Sequence, residues 1–128
     1  MHAFVDYTFV CAKRFIYCSF TNHVIGFELH KDGKKGYANL RGQIVFLPVY
    51  DNLVHFEHDR SRYMHLYIDG KQGLGDELTG ETVVPIEYDN ITWRGKYIEL
   101  TQTGKPDSMI RWDNQTSKVI GTPIPFIR

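Results

Sequence analysis

Asp32-Gly33-Lys34-Lys35-Gly36, followed 37 residues later by Asp69-Gly70-Lys71-Gln72-Gly73, is the passage on which the reading of this chain turns. Asp and Gly both tolerate φ > 0, so each Asp-Gly pair marks a tight reversal between two antiparallel strands. Moving outward, Arg41-Gly42 and Thr79-Gly80 give each copy a second turn. Pro48 and Pro85 keep the 37-residue offset and close the next strand, where a missing N–H is tolerated. Tyr50-Asp51-Asn52-Leu53 returns as Tyr88-Asp89-Asn90-Ile91 after 38 residues, with Glu87 read as the extra residue. Its Asx side chains can bond the backbone two residues on, which makes this a third turn. Runs of strand length fill the intervals, at 63–68, 73–78, 81–85, 91–93 and 96–101. The repeating unit is therefore a short antiparallel meander of three or four strands.

A degraded third copy begins at Tyr97-Ile98-Glu99-Leu100, an echo of Tyr63-Met64-His65-Leu66, and continues through Gly104-Lys105. Asp113, Thr116 and Val119-Ile120 each fall 37 residues after Asp76, Thr79 and Thr82-Val83. The single domain 1–128 thus divides into a cap at 1–26, repeats at 27–62 and 63–96, and a degenerate repeat with its own cap at 97–128. In the N-terminal segment Val5, Tyr7, Phe9 and Cys11 alternate with polar residues, which predicts a strand or hairpin over the first unit's sheet edge. Pro123-Ile124-Pro125 is expected to end the array, since proline cannot donate to a further strand. The expected fold is all-β: about 2.5 units in one continuous antiparallel meander, coiled by strand twist into a roll or partly closed barrel.

The spacing resembles the WG repeat, a β-rich bacterial family whose unit reads approximately G-x-W-G-[YF]-I-[ND]-x-x-G-x-x-V-I-P-x-x-Y-D. Residues 33–51 and 70–89 carry the match, with Lys35 and Gln72 standing where the family has its tryptophan. The resemblance covers about residues 27–121. It implies a scaffold or binding module and brings no catalytic residue with it.

Composition agrees with a strand-rich chain, since three alanines stand against 29 Val, Ile and Thr and 18 aromatics. Fifteen basic and fifteen acidic residues leave no net charge, which argues against nucleic acid or an anionic membrane as partner. No run approaches the roughly 18 apolar residues of a membrane helix, and Asp6 interrupts the only leader-like stretch. A soluble, cytoplasmic protein is expected, with Cys11 and Cys18 as reduced thiols.

No catalytic signature or cofactor motif is present, so an enzyme is not expected. His55, His58 and His65 form the nearest thing to a metal set, but on a strand His55 and His58 point to opposite faces. Aligning the repeat tyrosines puts His55 opposite Trp93, so His55 reads as filling an aromatic position, and no metal is expected. Trp93, Tyr97 and Trp112 are candidates for stacking a sugar, against the alternative of core packing. Tyr50 to Tyr63 spans 13 residues where Tyr88 to Tyr97 spans 9, so four extra residues lie between the first two units. Glu57, His58, Asp59, Arg60 and Arg62 occupy that insertion and, mixed in sign, suit the rim of an interface. The expectation is a non-enzymatic module that binds a protein partner, of the inhibitor, immunity or adaptor kind. A carbohydrate-binding module is the alternative.

Overall fold

The structure is a computed structural model that describes residues 2–3, 11–17, 24–56 and 62–125, with side chains from Ile25 onward. It is all-β, with no helix among the described residues. Three antiparallel sheets follow one another along the chain. The first joins β2 (Cys11–Tyr17), β3 (Val24–Lys31), β4 (Lys34–Asn39) and β5 (Gln43–Tyr50), with β1 (His2–Ala3) added on the β5 edge. The second is β6 (Asn52–His55), β7 (Tyr63–Ile68), β8 (Lys71–Asp76) and β9 (Thr82–Tyr88). The third is β10 (Asn90–Trp93), β11 (Tyr97–Thr101), β12 (Ser108–Asp113) and β13 (Lys118–Pro125).

The chain is a meander throughout, but its ladder breaks at Asp51 and Asp89, so the units divide there rather than near residues 62 and 96. The first unit is also complete. β2 pairs with β3 as β6 does with β7, which places residues 11–17 inside the repeat instead of in a cap. Among the described residues before β2, β1 covers the β5 edge, with His2 opposite Ile44 and Ala3 opposite Gln43.

Both Asp-Gly turns take the conformation their sequence asks for: Asp32 and Asp69 have φ of 51°, Gly33 77° and Gly70 76°. A Cβ on Gly70 would meet nothing within 4 Å, so a substitution there acts through backbone strain alone. Gly70→Val should therefore cost about 1–2 kcal/mol, measurable as a lowered urea midpoint at unchanged m-value. The second turns match as well. Gly42, Gly80 and Ser117 all sit at positive φ, and their N–H groups donate to Asn39 O, Asp76 O and Asp113 O. Ser117 is the glycine's stand-in in the third unit.

One alignment changes. Gly36 lies between the pairs Lys35–Tyr50 and Tyr37–Phe46, and Gly73 between Gln72–Tyr88 and Leu74–Val84. Each glycine thus faces a three-residue bulge, 47–49 or 85–87. Pro48 corresponds to Ile86, not to Pro85, and the burial agrees, Pro48 being buried and Pro85 exposed. The extra residue of the second copy lies in the turn before Gly80 rather than at Glu87. Both prolines are tolerated because bulged residues leave the ladder.

Alternate residues of the middle sheet face opposite neighbours. Leu53, Met64 and Leu66 pack with Tyr37 and Phe46 of the first sheet. Phe56, Tyr63, Leu74, Val84 and Tyr88 pack with Ile91, Ile98, Leu100, Ile110 and Trp112 of the third. Leu66 and Leu100 are fully buried, and each stabilises the stack by about 2 kcal/mol. The middle sheet is thus enclosed on both faces, which is the reason a short strand such as β6 holds its place.

The joints between sheets carry a repeated clasp. Asp51 accepts from Lys34 Nζ and, 2.7 Å away, from the Asp69 amide. Asp89 accepts from Lys71 Nζ at 2.5 Å and from the amide and hydroxyl of Thr103, both at 2.6 Å. Each aspartate so ties the hairpin of its own unit to the hairpin of the next, where a local Asx bond had been expected. Ammonium and amide donors hold both carboxyls below the usual carboxylate range, the lysine bond contributing most. The residues at the family's tryptophan position join in, Lys35 Nζ donating to Asn52 Oδ1 at 3.4 Å and Gln72 Nε2 to Asp89 O at 2.7 Å.

Candidate functional site

The seam between the second and third sheets does not close completely. A cleft of about 500 Å³ remains, lined by Val54, His55, Phe56, His65, Tyr67, Ile91, Thr92 and Trp93. Strand pairing explains its walls. Val54 lies opposite His65 and Asn52 opposite Tyr67, so one face of β6–β7 presents these side chains toward β10. His65 stacks on Tyr67 with ring centroids 4.7 Å apart and planes 20° from parallel, and it meets Phe56 edge-on at 5.9 Å. Its Nε2 lies 2.7 Å from Gln72 Oε1. Val54 and Thr92 are exposed at the rim, while His55, Phe56 and Ile91 form the buried floor.

His55 and Trp93 occupy equivalent ends of β6 and β10, facing Met64 and Ile98. The alignment of the two was therefore sound, and both now appear in one cleft. Behind it lies a corner of charge. His55 Nε2 is 3.9 Å from Glu77 Oε2, and Arg62 Nη2 is 2.6 Å from Asp76 Oδ2. The Glu77 amide donates to Arg62 O at 2.7 Å, and the Phe56 amide donates to Tyr63 O at 2.9 Å. Phe56 and Arg62 are thereby held in place. Burial, with Asp76 adding to it and Arg62 opposing, pushes the Glu77 carboxyl up to about 7.

Glu57, His58, Asp59 and Arg60 lie outside the described residues, as do Cys18 and the side chain of Cys11. Arg62 is described, and it is not a free rim charge but half-buried and paired. Arg62→Glu would bring a third carboxylate to Asp76 and Glu77, so it should cost about 2 kcal/mol, seen as a lower melting temperature even without a partner. A loss under about 0.5 kcal/mol would show the pair to be idle. The long connection is not peculiar to the middle unit either. Six residues separate β2 from β3, seven separate β6 from β7, and only the three between β10 and β11 are few.

Of the stacking candidates, Trp93 alone lines the cleft. Trp112 is 4 % exposed and packs edge-on against Tyr63 at 6.0 Å, which removes it as a platform. Tyr97 is half-buried on β11, opposite Arg111. Among the described residues no three of His, Cys, Asp and Glu converge as a metal-ligand set, and His58 lies outside them. No helix among them is long and apolar enough to cross a membrane. Tyr67, Thr92 and Glu77 were missed in the sequence, where each reads as an ordinary strand or turn residue, whereas Val54 opens the segment 54–62 expected as a contact. Comparing Glu28, His65 and Glu99 across the copies would have singled out the middle one. No protein-family model, curated protein or solved structure matches the chain.

Proposed function

We propose that the protein is a non-enzymatic interaction module that engages a protein partner at the cleft-side corner of its middle unit. The observation that carries this reading is the open seam itself. The second and third sheets leave a cleft beside Phe56, from which the sequence runs on into Glu57, His58, Asp59 and Arg60. A concave, partly aromatic floor beside an exposed apolar residue such as Val54 suits a protein contact. Beside it, Arg62 and Asp76 are committed to an ion pair that holds the corner of the fold. Kinship with the WG repeats is part of the proposal. It is supported by the recurrent glycines at 36 and 73 and by the bend aspartates 51 and 89.

A photo-crosslinking amino acid at Val54, on the rim, tests the reading against the same residue at Leu47, exposed on the first sheet. In the cells that make the protein, Val54 should yield one discrete protein adduct and Leu47 none. Equal labelling from both positions, or none from Val54, would reject the corner as the contact.

A further inference from the structure

Register sets Glu28, His65 and Glu99 at one position of the repeat, His30 and Tyr67 at a second, and Lys35 and Gln72 at a third. The units fill these positions differently. In the first, His30 Nε2 lies 2.5 Å from Glu28 Oε1 and Lys35 Nζ 3.8 Å from the same oxygen, so a buried carboxylate is held by cationic or imidazole nitrogen. In the third, Arg94 donates Nε and Nη2 to Glu99 Oε1 at 3.0 and 2.8 Å. The fold thus accepts a bonded carboxylate at this position twice. The middle unit carries flat groups instead, with His65 stacked on Tyr67 and bonded to Gln72. These are the rings that line the cleft, facing Trp93 and the hydroxyl of Thr92. A fold that needed only closure at this seam had an ion pair available, as its sister units show.

We infer that the seam cleft is a binding subsite for a neutral saccharide ring. Among the described lining residues none bears a permanent charge, and aromatic rings predominate. Aromatic faces match the C–H faces of a sugar ring, while the exposed Thr92 supplies a hydroxyl for its polar edge. A volume of about 500 Å³ lies in the range of small-ligand sites. The inference shares the seam cleft with the protein-partner reading and differs from it in the occupant, for which a free trisaccharide and a carrier protein without its glycan are separate probes.

Chitotriose, maltotriose and cellotriose titrated into the ¹⁵N-labelled full chain test it, with the indole N–H signals of Trp93 and buried Trp112 as reporter and internal control. At least one of the three should move the Trp93 signal at millimolar concentration while Trp112 stays in place. Tyr67→Ala and Val54→Arg should each weaken that binding about tenfold. Val54→Arg sits on an exposed rim position and so leaves folding intact even if Tyr67→Ala does not. The same trisaccharide displayed on a carrier protein should compete with the free sugar. The inference is overturned if none of the three moves Trp93, if Val54→Arg binds as the wild type does, or if the carrier still binds after its glycan is removed. The last outcome would make the occupant a peptide.

Discussion

Gly73→Ala should destabilise the protein by about 3 kcal/mol or more, a large effect for a single added methyl group. A Cβ at Gly73 would stand 2.6 Å from Val84 O and 2.9 Å from Ile86 Cα, both backbone atoms of the bulged β9. A flexible side chain could yield, but a strand cannot move by half an ångström or more without disturbing what packs behind it. That is the Leu74–Val84–Tyr88 layer of the larger core. Gly36 is in the same position, its Cβ 2.5 Å from Phe46 O and 2.7 Å from Pro48 N. The two alanine variants should therefore lose similar stability in urea unfolding. Gly70→Val, with open space around it, should lose clearly less despite its larger side chain. If Gly73→Ala proved neutral, the close crossing of β8 and β9 would not be a feature of the protein in solution.

These paired glycines also show how much of the fold could be read in advance. The first turn, the second turn and the number of strands between them were legible, because positive φ selects Asp, Asn and Gly and leaves a mark in composition. Register past the second turn was not. The two prolines coincide at an offset of 37 residues, yet both fall in a bulge, where a residue's identity is weakly constrained and chance agreement carries no structural weight. The division into units was hidden for a different reason. Asp51 and Asp89 bond partners 14 to 18 residues away, one in the aspartate's own unit and one in the next, and such contacts leave no local signature. β2 escaped recognition as part of the first unit because its copy keeps the strand pattern and none of the turn residues by which the repeat was traced.

The candidate site was legible only in fragments. His55 and Trp93 were matched through the repeat, and Trp112 was weighed as core as well as platform. The cleft arises from what the two copies do differently at positions 65 and 67, whereas repeat tracing attends to what copies share. Arg62 is instructive in the opposite sense. In sequence it belongs to a polar insertion, and solvent exposure is the natural expectation for such a residue. In the fold its backbone carbonyl is bound by the Glu77 amide, and its guanidinium neutralises Asp76 in a half-buried corner.

That corner supplies the second large effect. Glu77→Gln should stabilise the protein by about 2–3 kcal/mol at pH 8 and by little at pH 4.5. Glu77 is shielded from water, and the charge of Asp76 beside it also disfavours ionisation. Arg62 offsets only part of this, and the carboxyl is raised from 4.5 to about 7. An acid whose folded pKa lies above its unfolded value binds its proton more tightly when folded. Wild-type stability therefore falls as pH rises between about 4.5 and 7, and the loss is complete above 7. An amide has no proton to lose, so the variant escapes that fall while keeping the shape of the side chain and the backbone bond to Arg62. Thermal melts of wild type and Glu77→Gln at pH 4.5, 6 and 8 decide the matter, for the gap in melting temperature should open steadily with pH. A gap of the same size at all three would mean that packing, not ionisation, separates the two proteins. A lower melting temperature for the variant at pH 8 would mean that His55, 3.9 Å from Glu77 Oε2, and Arg62 together stabilise the carboxylate more than burial and Asp76 oppose it.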